Sequence, residues 1–425
     1  MGRGGSAHQH TRTWMAVLVP LLVVFLAAGG GAAAKALNDR SGGGHSGHGR
    51  SIVTTTTLGA TAAASATTKI RKPRRTTTTT SLPSTTSPST TTPPPTTAPG
   101  SDRDVKIPLP GFGDMLVDEA RGRVYISGGK GTNTVVVTDL EGGIQRTVDI
   151  GRGGGGMTLG PDGTKLYVAL VDSDGIAIVD LATYAVDWYY VGTHDGVPTC
   201  PSDVAWAAGQ LWFGWGCDTY PGGIGKVDPE TRAYDLAMAQ GRTDSRFSAP
   251  LLATVPSQPA ILIAGVTNTT PALLFRLEVT PTELHQRAMR WTDGGFVKQL
   301  AVTPDGGQVI VPSGAPYYHP VLRTSDLTEV HRYPTTHYPN AAAVRSDGLV
   351  VAGILGYYDK DVYIFEPGGS TPIATYEFGH LPNQETWAHT LVDGGLAWHG
   401  DRIYAITEQL SEPDNVTLRI RDLSQ

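Results

Sequence analysis

Residues 155–170 read GGMTLGPDGTKLYVAL, in which two apolar runs flank a Pro-Asp-Gly turn. This pattern predicts a tight β-hairpin, because Asp-Gly supplies the backbone conformations that join adjacent antiparallel strands. The pattern returns as VKQLAVTPDGGQVIVPS at residues 297–313 and, more loosely, as NAAAVRSDGLVVAGIL at residues 340–355. A unit that recurs about every 40 to 50 residues usually decides the fold of the chain that contains it.

Each repeat continues with a third strand that ends in an acidic turn and then with a fourth strand. Asp suits such turns because its side chain bonds its own backbone. The recurring acids are Asp139, Asp180, Asp228, Asp326 and Asp422. Four short strands per unit of this length are typical of a β-propeller blade. The second strands of the hairpins match at Val124, Leu166, Leu211, Ile261, Val309, Val350 and Ile403. The sequence therefore predicts an all-β, seven-bladed β-propeller over residues 103–425.

The last repeat stops at its third strand, LRIRD at residues 418–422, so the seventh blade needs an outermost strand from elsewhere. The segment VKIPLPGFGDM at residues 105–115 aligns with VDIGRGGGGM at residues 148–157. We therefore expect Val105 to Leu109 to complete the last blade. This pairing closes the ring and removes the open edge that an incomplete array would carry.

The repeats also resemble those of a known family. The unit GPDGTKLYVAL with IAIVDLATY, and the unit TPDGGQVIVPS with LRTSDLTE, are similar to YVTN-type repeats of YncE-like, extracytoplasmic seven-bladed propellers of bacteria and archaea. The resemblance covers residues 103–425. It implies the architecture and an extracytoplasmic setting, and it implies no catalytic residue, because the motif describes strands and turns.

The N-terminus carries a long apolar run, WMAVLVPLLVVFLAAGGGAAA at residues 14–34, preceded by Arg3 and Arg12. The run is just long enough to cross a bilayer as a helix. A basic flank before such a run is typical of a signal peptide or a signal anchor. Residues 1–35 are therefore predicted to be either a cleaved signal peptide, giving a secreted protein, or a retained transmembrane anchor.

Residues 36–102 contain almost no large apolar side chains and culminate in TTTTTSLPSTTSPSTTTPPPTTAPG at residues 76–100. Such a segment cannot bury enough apolar surface to offset its chain entropy. We expect a disordered Thr/Ser/Pro-rich linker that acts as a stalk. Its composition is consistent with an O-glycosylated stalk and with an unmodified spacer.

Charge divides sharply at the stalk. The first hundred residues contain ten Lys and Arg against Asp39 alone, which leaves 23 basic and 38 acidic residues of the totals of 33 and 39 for the remainder. The propeller is therefore acidic, which argues against a nucleic-acid partner because phosphate binding needs a positive surface. The basic cluster KIRKPRR at residues 69–75 is either a contact for anionic lipid or wall polymer or a solvated segment.

Cys200 and Cys217 are the only cysteines, and both fall at the same end of the predicted third blade. We expect a disulfide, which fits an oxidising extracytoplasmic compartment, with two buried thiols as the alternative. No metal site is predicted, because zinc needs four ligands and neither Cys belongs to a close Cys/His pair.

In a propeller, the connections between blades and the loops between second and third strands share one face, here called the top face. Rigid scaffolds tend to carry function on such loops. The candidate ligand-binding residues there are His194, Tyr220, His319, His337, Tyr358, Glu385, Trp387 and His389, and further aromatic residues are Trp291, Phe296, Tyr317, Tyr318, Tyr338 and Tyr357. The candidate channel-mouth residues are Asp114, Asp203, Lys298, Gln299 and Asn340.

These observations favour a monomeric binding module, without a cofactor, for a wall polymer, glycan, peptide or protein partner. The aromatic rings and polar groups of the top face match the usual composition of a ligand site. One alternative is a propeller enzyme of the lyase or lactonase type that uses top-face His and carboxylates with a divalent ion. A further alternative is a structural surface protein. Nucleotide-binding and hydrolase signatures such as the P-loop and G-x-S-x-G are missing from the sequence.

Overall fold

The computed structural model of the 425-residue chain describes residues 102–217, 222–236, 249–280, 283–356, 360–378, 389–409 and 412–424. The predicted signal or anchor segment and residues 36–101 of the predicted linker lie outside these ranges. Within them, no helix combines the length and the apolar character that crossing a membrane requires.

The described residues form seven antiparallel four-stranded sheets, which are the predicted blades. Blade one consists of β2 (Asp114–Asp118), β3 (Arg123–Ser127), β4 (Thr134–Asp139) and β5 (Ile144–Asp149), and blade two of β6 (Gly154–Leu159), β7 (Lys165–Leu170), β8 (Gly175–Asp180) and β9 (Val186–Tyr190). Blade three consists of β12 (Pro201–Ala207), β13 (Gln210–Trp215), β14 (Gly223–Val227) and β15 (Tyr234–Asp235). Blade four consists of β16 (Leu251–Val255), β17 (Gln258–Val266), β18 (Leu273–Val279) and β19 (Leu284–Trp291). Blade five consists of β20 (Ala301–Val302), β21 (Gln308–Ile310), β22 (Tyr318–Arg323) and β23 (Glu329–Pro334). Blade six consists of β24 (Pro339–Val344), β25 (Val350–Ile354), β26 (Val362–Phe365) and β27 (Ala374–Tyr376). Blade seven consists of β28 (Thr390–His399), β29 (Arg402–Gln409) and β30 (Glu412–Asp422), together with β1 (Arg103–Lys106). A short hairpin, β10 (Thr193–His194) with β11 (Val197–Pro198), lies between blades two and three.

The order of strands follows the chain in the first six blades and confirms the predicted four-stranded unit. All seven positions matched in the sequence fall on the second strand of a blade, from Val124 in β3 to Ile403 in β29, and their side chains are buried. The acidic turns also form as predicted. Asp139 Oδ1, for example, accepts a hydrogen bond of 2.9 Å from the backbone nitrogen of Glu141.

The ring closes as predicted, with the N-terminal strand completing the seventh blade. β1 pairs with β30 so that Val105 lies opposite Leu418, and Ile107 N donates to Val416 O at 2.8 Å. The strand begins two residues before the predicted segment, at Arg103. Charge reinforces this pairing, because Asp104 of β1 forms ion pairs with Arg419 and Arg421 of β30.

The hydrophobic core lies between blades rather than in one central mass. In the described part of the chain, seven buried clusters each combine residues of two neighbouring sheets. Tyr125 of blade one packs with Val168 of blade two in one cluster, and Ile126 of blade one belongs with Tyr404 of blade seven in another. Each blade is therefore held on both faces, which makes the ring a rigid frame for its loops.

Small residues allow the innermost strands to approach each other around the channel. A Cβ atom at Gly156 would lie 2.1 Å from Asp203 Oδ1, and one at Gly113 would lie 2.2 Å from the carbonyl oxygen of Gly154. Side chains at these positions are excluded by the neighbouring strand. The glycine run at residues 153–156 thus serves the close contact of blades one, two and three.

Candidate functional site

The two kinds of top-face loop lie together. A disulfide joins Cys200, in the connection between blades two and three, to Cys217, in the loop after β13, with 5.1 Å between the Cα atoms. The same two loops are also linked by a hydrogen bond of 2.7 Å from Gly216 N to Thr199 O. These contacts confirm the predicted disulfide and the predicted sharing of one face.

A cavity of about 1100 Å³ occupies the channel, from the top-face loops at its mouth to Pro256 in the hairpin turn of blade four. The innermost strands of blades one to four, the start of blade five and part of blade seven form its wall. Seven of the described wall residues are ionisable, with five carboxyl groups against two amino groups. They are Asp114, Asp172, Asp174, Asp203 and Asp393, and Lys130 and Lys298.

Asp114 and Asp203 occupy matching places in the wall and connect neighbouring blades. Asp114 Oδ2 accepts a hydrogen bond of 2.7 Å from Met157 N of blade two, and Asp203 Oδ2 accepts one of 2.7 Å from Leu252 N of blade four. The other oxygen of each carboxyl group accepts from the next residue of its own strand. The predicted channel-mouth acids therefore join blade one to blade two and blade three to blade four.

The surroundings of these two acids favour the neutral form. Burial raises the pKa of Asp114, although the hydrogen bonds from Met157 and Met115 oppose the rise. Burial raises the pKa of Asp203 to about 8, with a further contribution from the charge of Asp114. Raised pKa values of this kind are more frequent at functional sites than elsewhere in proteins.

Amide side chains make the equivalent connections on the other side of the ring. Gln299 Oε1 accepts a hydrogen bond of 2.7 Å from Ala342 N, which joins blade five to blade six. Asn340 is buried, and its Nδ2 donates to Leu391 O at 2.7 Å, which joins blade six to blade seven. Gln299 also borders the channel cavity, whereas Asn340 is buried between its blades.

A four-residue bulge in β28, Val392–Gly395, narrows the mouth from the side of blade seven. The pairing of β28 with β29 is regular at Leu391 and resumes at Leu396. The bulge carries Asp393 to Lys298 of blade five, where Asp393 Oδ2 lies 2.7 Å from Lys298 Nζ. Lys298 is thus at the mouth as predicted, but its charge is balanced by an acid that sequence reasoning did not single out.

Two further wall acids, Asp172 and Asp174, come from the loop between β7 and β8 and were also missed. Asp172 accepts a hydrogen bond from Gly131 N of blade one, and Asp174 Oδ1 accepts one of 2.7 Å from Thr199 N. Their signal in the sequence is the acidic VDSD loop at residues 171–174, which the repeat places on the top face. Counting charges loop by loop would have found both.

His319 is not a top-face residue. It is the second residue of β22 and is fully buried, with Nε2 at 3.1 Å from both Ala341 O and Gly353 O of blade six. Because both partners are carbonyl oxygens, Nε2 carries the proton and donates to them. Burial lowers the pKa of His319 to about 4. The residue is a neutral link between blades five and six.

The remaining histidines are separated. His194 belongs to the hairpin β10–β11, where its ring packs against Trp215 at 5.0 Å between centroids and its Nε2 lies 3.8 Å from Asp195 Oδ2. His389 immediately precedes β28, and burial lowers the pKa of its imidazole. No ring contact joins His194, His337 and His389 to one another in the described structure.

His337 belongs to a cluster of three aromatic rings on the top face. Its ring lies 5.4 Å from that of Tyr317, and Tyr317 lies 5.5 Å from Tyr338 in an edge-to-face arrangement. The hydrogen bond between the two tyrosine hydroxyl groups raises the pKa of Tyr317. This cluster joins the loop after β21 to the connection between blades five and six.

Four of the predicted ligand-binding residues, Tyr220, Tyr358, Glu385 and Trp387, lie outside the described residues. Across the described ranges, no three His, Cys, Asp or Glu side chains are grouped so that they could hold a metal ion. A divalent ion bound by top-face histidines therefore stays a prediction from sequence.

Known structures share this fold. The β-propeller domain of Cps50 (Swd1) from Myceliophteria thermophila is similar with a TM-score of 0.54 and 15% identity, over 75% of this chain and 99% of that chain. Hydrazine synthase from Kuenenia stuttgartiensis is similar with a TM-score of 0.56 and 17% identity, over 74% of this chain and 96% of that chain. No protein-family model and no curated protein matches the sequence.

At such low identity the likeness establishes the fold alone. The chain is a seven-bladed β-propeller, and its described channel mouth is an acidic cavity. The resemblance to YVTN-type repeats stays a prediction, as does the activity of the protein.

Proposed function

We propose that this protein is an extracytoplasmic binding module whose channel mouth takes a positively charged group of a peptide or wall polymer. The cavity of about 1100 Å³ carries this proposal, because it is fixed by the innermost strands and is lined by five carboxyl groups against two amino groups. Cavities with a few convergent polar groups and shifted pKa values are the usual ligand sites of proteins.

The charges of the wall favour an amine over other ligands. Lys298 is balanced by Asp393, and the two acids Asp172 and Asp174 outnumber the one remaining amino group, that of Lys130. The pKa values of Asp114 and Asp203 are raised, so both acids are poised to ionise when a cation enters. An anionic ligand would meet repulsion from the same groups.

The extracytoplasmic setting is supported by two observations. The Cys200–Cys217 disulfide is of a kind that persists outside the reducing cytoplasm. The apolar run at residues 14–34, followed by the Thr/Ser/Pro-rich segment, is typical of an exported domain on a stalk. We propose that this segment either anchors the propeller at the membrane or is cleaved to release it.

The test is calorimetric titration of the purified full-length protein with pentalysine, compared with pentalysine acetylated on every amine. We expect saturable binding of the free amines, weakened about tenfold by Asp393→Asn, which leaves the charge of Lys298 uncompensated. Asp162→Asn, in the hairpin turn at the opposite end of blade two, is the matched control and should bind like the wild type. Equal binding of the acetylated peptide, or no binding of either peptide, would contradict the proposal.

An enzymatic role for the same cavity has one observation in its favour. Asp203, with a pKa of about 8, is protonated at neutral pH and is able to act as a general acid. The lyase or lactonase alternative predicts that a bound substrate is converted. Product analysis after incubation with candidate lactones and uronate-containing polymers would show turnover that Asp203→Asn abolishes, whereas a pure binding module leaves these compounds unchanged.

A further inference from the structure

Four exposed aromatic residues lie on top-face loops and strand ends of blades four to six, and two of them, Tyr317 and Tyr338, are in ring contact. Tyr317 is 48% exposed and Tyr338 is 45% exposed, although their edge-to-face contact already covers part of each ring. Phe296 and Trp291 are 44% and 41% exposed. Large apolar side chains grouped on a surface in this way commonly mark an interaction site.

The backbone connects the members of this row. The outer strand of blade four, β19, ends at Trp291 on the top face. The backbone nitrogen of the next residue, Thr292, donates to Ala272 O. Gly295, directly before Phe296, donates to Ala315 O at 2.7 Å, and this bond joins the connection between blades four and five to the loop that carries Tyr317. The aromatic row, defined here as Trp291, Phe296, Tyr317 and Tyr338, therefore crosses adjacent loops of a rigid ring.

The hydrogen bond with Tyr338 raises the pKa of Tyr317. The next residue, Tyr318, is oriented differently, with the guanidinium carbon of Arg332 at 4.3 Å from its ring centre. Glu329, Asp293, Arg290 and Arg332 act on the pKa of Tyr318, so charged groups border the row.

We propose that the aromatic row binds a polysaccharide chain, at a site separate from the channel mouth. One face of a pyranose ring presents C–H groups and packs on an aromatic face, while its hydroxyl groups point to the edges. Tyr317 and Tyr338 offer both features, because their rings are exposed and their hydroxyl groups lie at the same surface. Aromatic residues that combine an apolar ring with a polar tip are enriched at binding surfaces for this reason.

A purely apolar partner fits this surface less well. Covering the row with aliphatic side chains would remove water from the two tyrosine hydroxyl groups, which share a single hydrogen bond with each other. Each unpaired donor or acceptor carries a desolvation cost. A sugar chain supplies hydroxyl groups of its own at these positions, and several rings in a row suit a polymer with repeated units.

The experiment measures retardation of the purified full-length protein in native gels that contain hydroxyethylcellulose, mannan or soluble glycol chitin with its amines acetylated. We expect retention by at least one of these polymers, weakened about tenfold in dissociation constant by Tyr317→Ala and by Tyr338→Ala. Tyr190→Ala is the matched control, because Tyr190 is 67% exposed on β9 of blade two, away from the row. This variant should bind like the wild type.

Two outcomes would overturn the proposal. One is the absence of retardation by all three polymers, and the other is equal loss of binding in Tyr190→Ala and Tyr317→Ala. Circular dichroism and thermal melting of each variant confirm that the ring is intact. Binding at 0.5 M salt separates this site from the channel mouth, since stacking persists there while the attraction of amines is screened.

Discussion

Lys298 Nζ lies 2.7 Å from Asp393 Oδ2, in an ion pair that links blade five to blade seven past the start of blade six. The pair exists because the β28 bulge carries Asp393 over the channel mouth. Both side chains are partly open to solvent, at 31% and 49% exposed. Its main effect is therefore on the charge of the mouth rather than on stability.

Replacing Lys298 by Met should make the mouth more acidic. We expect Lys298→Met to bind pentalysine several-fold more tightly than the wild type, since Asp393 then becomes available to the ligand. An exposed ion pair contributes at most about 1 kcal/mol, so the unfolding free energy should change little. Titration calorimetry and urea denaturation check both parts. Weaker binding by this variant would mean that amines are not bound at this mouth.

The Asp203→Asn variant should change how stability depends on pH. The folded protein holds a proton on Asp203 up to its pKa of about 8, whereas an unfolded Asp releases it near pH 4. Native stability from this group is therefore full below pH 4 and is lost as the pH rises to 8. Asn keeps the acceptor for Leu252 N and carries no charge.

Differential scanning calorimetry between pH 5 and pH 8 is the measurement. The melting temperature of Asp203→Asn, relative to that of the wild type, should rise steadily over this range. Asp162→Asn should show no such rise, because Asp162 is exposed and the hydrogen bonds from Thr164 lower its pKa. A constant difference between Asp203→Asn and the wild type would show that Asp203 ionises normally.

His319→Leu should have the opposite dependence on pH. Because burial lowers the pKa of His319 to about 4, its contribution to stability is full above pH 6.5 and is lost as the pH falls toward 4. At pH 7.5 the loss of the bonds to Ala341 O and Gly353 O should cost about 1 to 3 kcal/mol. Urea denaturation at pH 7.5, 5.5 and 4.5 should show the deficit of the variant shrinking with acidity. An unchanged deficit at all three values would argue against a buried neutral imidazole.

Loss of the disulfide should matter only under oxidising conditions. Cys200→Ser with Cys217→Ser should lower the unfolding free energy by about 3 kcal/mol on the chain-entropy model, because the partners are 17 positions apart in the sequence. Reduced wild type should melt together with the double variant. Calorimetry with and without a reductant makes the comparison. Identical melting of oxidised wild type and variant would show that the bond adds no stability.

The ring could be predicted from sequence because each repeat carries its own turn residues and its own pattern of apolar strand residues. The second-strand positions from Val124 to Ile403 are buried in the described sheets, and the closing strand follows from the alignment of residues 105–115 with residues 148–157. These features are local or repeated, so a single chain contains enough copies to compare.

The site was harder to predict, because it depends on departures from the repeat. The β28 bulge is longer than the register shifts near the starts of β6, β12 and β24, so the approach of Asp393 to Lys298 follows no repeated pattern in the sequence. His319 was misplaced for a related reason. The sequence YYHP could begin a strand at any of several residues, and the pairing of Tyr318 with Pro334 puts His319 inside the sheet. Asp114 and Asp203 were placed correctly, because they occupy the same register in two blades.

The closing strand, β1, also determines how a force on the N-terminal side of the domain reaches the ring. A pull directed along β1 meets hydrogen bonds to β30 that run perpendicular to the strand. It loads the bonds of the ladder together, in shear, instead of opening them one after another. The ion pairs of Asp104 with Arg419 and Arg421 resist the same sliding. The strand that closes the ring therefore also resists extraction along its own axis.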